Sequence, residues 1–151
     1  ALNRVPVHDA DPVLELMVRL RLIEFFLDLD RLRDAEDEAR RAENTAIAQQ
    51  QRGALARVYV LMGRLRGRQR DENGFVFFEQ AIELCRGGEP TGRLEADVYW
   101  EYARLRSGMG DATEACAYLE RARELLEPFG DAAARDRIDQ ELQTLVAATG
   151  S

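Results

Sequence analysis

Lysine is missing from this chain: all 21 basic residues are arginine, a usage that reflects the coding bias of a GC-rich genome and drains meaning from any single arginine. Histidine is nearly missing too. His8 is the only one, and it stands ahead of the helical pattern, where an imidazole offers no general base or metal ligand to a packed site. Cys85 and Cys116 are the only cysteines and lack the close spacing of a zinc site. Both read as small buried apolar residues on helices, with a disulfide or metal site as the alternative. Apolar runs are short, so no membrane span is predicted, and no charged-then-apolar leader is seen; the chain is expected to be cytoplasmic. No segment alternates with the two-residue period of a half-buried strand. Motifs for catalysis are absent as well: there is no nucleophile elbow, and the two glycines of GRLRGRQR lack the lysine and the strand-loop-helix setting of a phosphate cradle. A non-enzyme without cofactor or metal is the expectation.

What is present suits one folded domain. The chain has 151 residues, 46% of them apolar and 32% charged, and a net charge of −7 that argues against a nucleic-acid partner. Between Gln51 and Arg70 stand Arg52, Arg57, Arg64, Arg66, Arg68 and Arg70 with no acidic residue. That stretch reads as a solvated basic face, with contact to an acidic peptide as the alternative. The acidic run Asp34 to Glu38 reads as helix surface rather than a metal site.

The organising stretch is Gly110 to Leu125. Gly110-Asp111 predicts a turn, with glycine in the left-handed region and aspartate capping the next helix, after which Ala115, Leu119 and Ala122 form a stripe at i, i+4 and i+7. The same stripe recurs as Gly74, Phe78, Ala81 and as Ala35, Ala39, Ala42, with intervals of 39 residues from Ala42 to Ala81 and 41 from Ala81 to Ala122. Each stripe follows an apolar-periodic segment. Seven helices are predicted: Pro12 to about Asp28, Leu32 to Ala48, Gly53 to about Arg66, Glu72 to Arg86, Arg93 to Met109, Ala112 to Pro128 and Ala132 to Ala147. Asp11 caps the first, and Gly87 to Pro90 stop the fourth. Residues 1–10 and 149–151 are read as tails around a single domain over 11–148. Ile138, Leu142 and Leu145 give the last helix one apolar stripe, as suits a terminal cap.

This pattern resembles the tetratricopeptide repeat. The third unit supplies Tyr99, Tyr102, Ala103 and Arg106 on its first helix, the second Val58, Leu61, Met62 and Leu65, and the first Arg19, Leu22, Ile23 and Phe26. The first-helix glycine of the family is missing at every matched position, although Gly63 is one residue away, and the closing proline is absent. The resemblance implies an all-α, right-handed solenoid of three helix pairs plus a capping helix, acting as a bacterial-type scaffold that binds a peptide or partner protein. Such a role suits the regulatory part of a larger signalling protein. It further implies a groove on the inner side of the first helices, presenting Tyr59, Arg66, Asp97, Trp100 and Arg104, with Leu20 and Glu24 at its N-terminal end. Tyr99 and Trp100 are adjacent and cannot both face inward, so one of them is expected to be partly exposed. The first helix is apolar almost all round. The alternative reading is therefore a homo-oligomer held through Met17, Leu20 and Leu27, or else a domain upstream that covers this helix.

Overall fold

The computed structural model describes residues 11–86 and 92–149. His8, the predicted N-terminal tail at 1–10, residues 150–151 of the predicted C-terminal tail at 149–151, and the predicted stop at Gly87 to Pro90 lie outside the described residues, while Thr149, expected in that tail, is the last residue of the final helix. Within them the chain is all-helical and has no strand: α1 (Pro12–Asp28), α2 (Leu32–Ala48), α3 (Arg52–Arg68), α4 (Gly74–Arg86), α5 (Gly92–Gly108), α6 (Ala112–Leu126) and α7 (Ala132–Thr149), with a 3₁₀ turn at Glu127–Phe129. Each helix packs on the one before it and the one after it, and α1 meets α3 as α3 meets α5. This is the packing of a helical repeat. Pro128 sits in the 3₁₀ turn rather than in α6, because its ring and missing N–H stop the α-helical ladder.

The period is sharper than the sequence suggested. α1, α3, α5 and α7 start at residues 12, 52, 92 and 132, intervals of 40. The turns repeat with them. Asp30, Arg70 and Gly110 all have positive φ, of 58°, 55° and 86°, as do Gln50 and Gly130 at 55° and 63°. After each such residue on the first two pairs and the third intra-pair turn, the next N–H reaches back five positions: Arg31 to Phe26 O, Gln51 to Ala46 O, Asp71 to Arg66 O and Asp111 to Arg106 O, at 2.8, 2.9, 2.8 and 2.9 Å. One turn design, a left-handed residue followed by a hydrogen bond onto the last helical turn, thus closes four helices. Asp11 and Asp111 each accept a backbone N–H beyond them, from Val13 at 3.0 Å and Glu114 at 3.2 Å.

The small residues do face the interior. Ala35, Ala39 and Ala42, Gly74 and Ala81, and Ala115 and Ala122 are all buried, together with Phe78 and Leu119. Small residues on either side of the central position of each stripe leave room for the first helices to pack against it, as at Gly63 and Phe78.

One helix departs from the period, and its departure corrects the match made on sequence. The stripe of α2 falls 80 residues before that of α6, but the stripe of α4 comes one residue early. Asp71, Glu72 and Asn73 accept from Gly74, Phe75 and Val76 in i to i+3 bonds of 3.1, 3.0 and 3.1 Å, a tighter winding than the α-helix that advances its phase. α4 accordingly starts at Gly74 rather than at Glu72. The first helices carry no such slip. Ile23, Gly63 and Ala103 therefore occupy one equivalent place, and the match through Met62 is off by one.

That place explains the scattered glycine. A Cβ on Gly63 would lie 2.5 Å from Cε2 of Phe78, whose ring occupies the space a side chain there would need. At the equivalent places of the three pairs the residues trade size: Ile23 and Ala39 share the first buried cluster, Gly63 meets Phe78, and Ala103 and Leu119 share the second. Volume is conserved while the residue types are not. Phe78 then stacks on Tyr102 with centroids 5.0 Å apart, and Tyr102 on Tyr118 at 4.4 Å. Arg106 closes this column, its guanidinium 3.8 Å from the Phe75 ring centroid and bonded to the Tyr102 hydroxyl at 3.1 Å.

Candidate functional site

The first helices run side by side and leave a cleft between them. Its walls repeat at the helical period: Leu20 and Glu24 come from α1, Arg57, Val60 and Arg64 from α3, Leu94, Asp97, Trp100 and Arg104 from α5, and Arg137 from α7. Residues three, four and seven apart share a helix face, so each first helix contributes one stripe, and the 40-residue period aligns the stripes. The enclosed space is about 260 Å³. A second hollow of about 440 Å³ continues it past Leu20, Arg57, Leu94 and Asp97 to Met17 and Val13.

Charge in the cleft is arranged as a lattice. Arg64 of α3 holds Glu101 of α5 through two bonds of 3.0 Å, and Arg104 of α5 holds Glu141 of α7 at 3.0 Å. These two pairs are the same link one repeat apart. Arg57 lies 3.6 Å from Asp97, and Arg104 also approaches Glu101 at 3.4 Å. Burial pushes the Asp97 carboxyl above the usual aspartate range against the pull of Arg57 and Arg93. The hydrogen bonds that Arg64 donates to Glu101 raise the Arg64 guanidinium against the cost of its burial. Arg137 lines the same cleft and has no ion pair among the described residues.

Trp100 is the chain's single tryptophan and stands half-buried in the wall. Its indole N–H donates to Glu141 at 2.9 Å, and the Arg104 guanidinium lies 5.1 Å from its ring. Tyr99, its neighbour in sequence, is buried and takes a bond from Arg86 at 3.0 Å. Leu20, Val60 and Leu94 complete an apolar floor beside the indole, rimmed by the paired charges.

Of the seven residues expected along the groove, Leu20, Glu24, Asp97, Trp100 and Arg104 are brought together, and two are not. Tyr59 turns away toward Phe77, with ring centroids 6.1 Å apart, and burial together with Glu43 pushes its hydroxyl up to about 12. Arg66 turns to Glu36 of α2 at 2.7 Å. Both stand on the side of α3 that faces the second helices, Tyr59 toward Phe77 of α4 and Glu43 of α2 and Arg66 toward Glu36 of α2. The trio expected at a self-association face is likewise dispersed: Met17 lies at the mouth of the cleft, Leu20 in its wall, and Leu27, only 2% exposed, inside the first apolar cluster. Leu27 faces α2 and α3 and so is withdrawn from any outward contact.

The basic stretch is not a free cationic face. Arg57, Arg64, Arg66 and Arg68 meet Asp97, Glu101, Glu36 and Asp30, each on another helix or turn. Glu38 of the acidic run is buried between Arg19 at 2.6 Å and Arg41 at 3.7 Å rather than solvated. Cys85 and Cys116 are free thiols, the first buried and the second half-buried. Burial pushes the Cys85 thiol up to about 11, which leaves it uncharged and unreactive at neutral pH. No family model and no curated protein matches the chain.

Proposed function

We propose that this chain is a non-catalytic interaction scaffold of the tetratricopeptide type, which takes a peptide or a partner's extended segment in the cleft between α1, α3 and α5. The observation that carries the reading is Trp100. A large aromatic side chain stands half-buried in a concave wall, held by Glu141 and covered on one side by Arg104, next to the apolar floor of Leu20, Val60 and Leu94. Fixed aromatic area beside a rigid guanidinium is the composition of binding hot spots. The paired charges along the rim are already satisfied within the protein, so they select against mismatched charge rather than supply most of the affinity. Arg137, without an ion pair among the described residues, suits a carboxylate on the ligand. A segment with an apolar anchor followed by an acidic residue fits both features.

The test uses peptides selected from a displayed random library against the intact chain, with Trp100 as the fluorescence reporter. Trp100→Ala, read by calorimetry, is expected to weaken the selected peptides by about tenfold or more, and Arg104→Ala by less. Peptides that bind both variants as tightly as the parent chain would move the contact elsewhere.

A further inference from the structure

The first helices share one face whose burial changes abruptly at the start of the array. Val18, Val58, Val98 and Ile138 stand at intervals of 40 residues, and the last three are 0% exposed whereas Val18 is 58% exposed. Phe25 is 54% exposed, while Leu65 at the same place in α3 is buried and Leu105 and Leu145 are half-buried. In α3 this face is covered by the pair before it: Val58, Leu61 and Leu65 form one apolar cluster with Ile23, Ala35, Ala39 and Ala42. α1 keeps the apolar residues for such a contact, and among the described residues no helix pair makes it.

We propose that the outer face of α1 docks one more helix pair of the same kind, supplied by a partner. Its second helix would present small residues at i, i+4 and i+7, and its first helix would present a carboxylate. Charge complementarity gives the second condition. Glu101 and Glu141 each take an arginine from the preceding first helix, Arg64 and Arg104. Leu61 holds that place in α3, and Arg21 holds it in α1 with its side chain 86% exposed, meeting among the described residues Glu24 of its own helix at 3.2 Å. With the sign reversed at this one position, the incoming helix must bring the acid. A second folded copy of the chain does not qualify. Its small-residue stripes are all buried, and the outer side of α7 carries Asp136 and Gln143 where the other first helices carry Leu16, Ala56 and Ala96, and Ile23, Gly63 and Ala103.

The chain's own first pair meets both conditions, since α2 has the alanine stripe and Glu24 of a preceding copy would fall opposite Arg21. The experiment inserts a copy of residues 12–51 between Asp11 and Pro12, which fixes the probe at high effective concentration. In the parent chain Val18→Asp is expected to shift Tm by less than about 2 °C, and in the extended chain the same change at the original Val18 lowers it by more than about 5 °C, because the site is then buried. Amide exchange across α1 slows in the extended chain. Replacing the inserted copy's Ala39 and Ala42 with Gln abolishes both effects. Equal Tm shifts in the two chains would overturn the proposal, as would a parent chain that sediments as a dimer and is dissociated by Val18→Asp, since that would seat a second copy on the face.

Discussion

The two ends of the array are built from the same kind of helix and finished in opposite ways. α7 turns Ile138, Leu142 and Leu145 onto α6 and offers water Asp136, Gln143 and Arg135. α1 turns Leu16, Ile23 and Leu27 inward and still offers Leu14, Val18 and Phe25 outward. Burial on a repeat is therefore a property of neighbours rather than of residue type: valine at one place in the period is interior twice and surface once. Polar groups on an outward face leave it suited to water, and apolar groups leave it suited to a further contact.

The largest effect is expected at the equivalent pair that differs most. Ile138→Asp puts a carboxylate into a site with no exposure and is predicted to cost on the order of 4 kcal/mol, while Val18→Asp costs under about 0.5 kcal/mol in the same chain, both read from urea unfolding. Equal costs would erase the distinction between the ends. Next comes Gly63→Ala, predicted to lose about 2 kcal/mol because the Phe78 ring cannot withdraw from a filled core. The corresponding test away from close packing is Gly108→Ala, where a Cβ meets nothing within 4 Å and stability should hold or rise.

A smaller effect is expected from Glu36→Gln, about 1 kcal/mol at neutral pH through the Arg66 pair. The hydrogen bond from Arg66 holds the Glu36 carboxyl below the usual glutamate range, against the opposing effect of burial. A depressed acid stabilises the fold above its unfolded pKa and loses that contribution as pH falls through the folded one. The variant should therefore show a flatter acid limb in a plot of stability against pH. An unchanged limb would mean that the pair contributes nothing. Least in stability, though not in association, is Asp136→Ala with Gln143→Leu, which makes the outer face of α7 resemble that of an interior first helix. Stability should move by less than about 0.5 kcal/mol, whereas sedimentation should reveal new self-association.

Most of the architecture could be read from residues alone, because the signals were local. Asp11 before Pro12 and Gly110 before Asp111 mark helix ends through backbone chemistry that acts within four residues. The small stripes at 35, 39 and 42 and at 115, 119 and 122 mark the packed faces. The slip at α4 was not legible, since nothing in Asp71-Glu72-Asn73 distinguishes a 3₁₀ start from an α-helical one. Nor were the partners of the arginines. Arg64 and Glu101 are 37 residues apart and Arg66 and Glu36 are 30 apart, so a window along the chain shows a basic run where the fold has neutral pairs. The cleft was legible at Leu20, Glu24, Asp97, Trp100 and Arg104, which stand on the inner side of their helices. Tyr59 and Arg66 were misplaced by a fraction of a turn on α3, the helix whose match had been set one residue off.

The phase slip of α4 has a consequence for treating the pairs as building blocks. Equal length invites exchanging one for another, yet the middle pair is cast in a different mould from its neighbours. α6 transplanted behind α3 would bring leucine to a hollow shaped for a benzyl ring over a bare backbone, and α4 transplanted behind α5 would drive that ring into the methyl of Ala103. Shuffling at the loops would keep every helix intact and still spoil the joinery, so recombination within this protein is confined to cuts that carry a first helix together with the second helix it was fitted to.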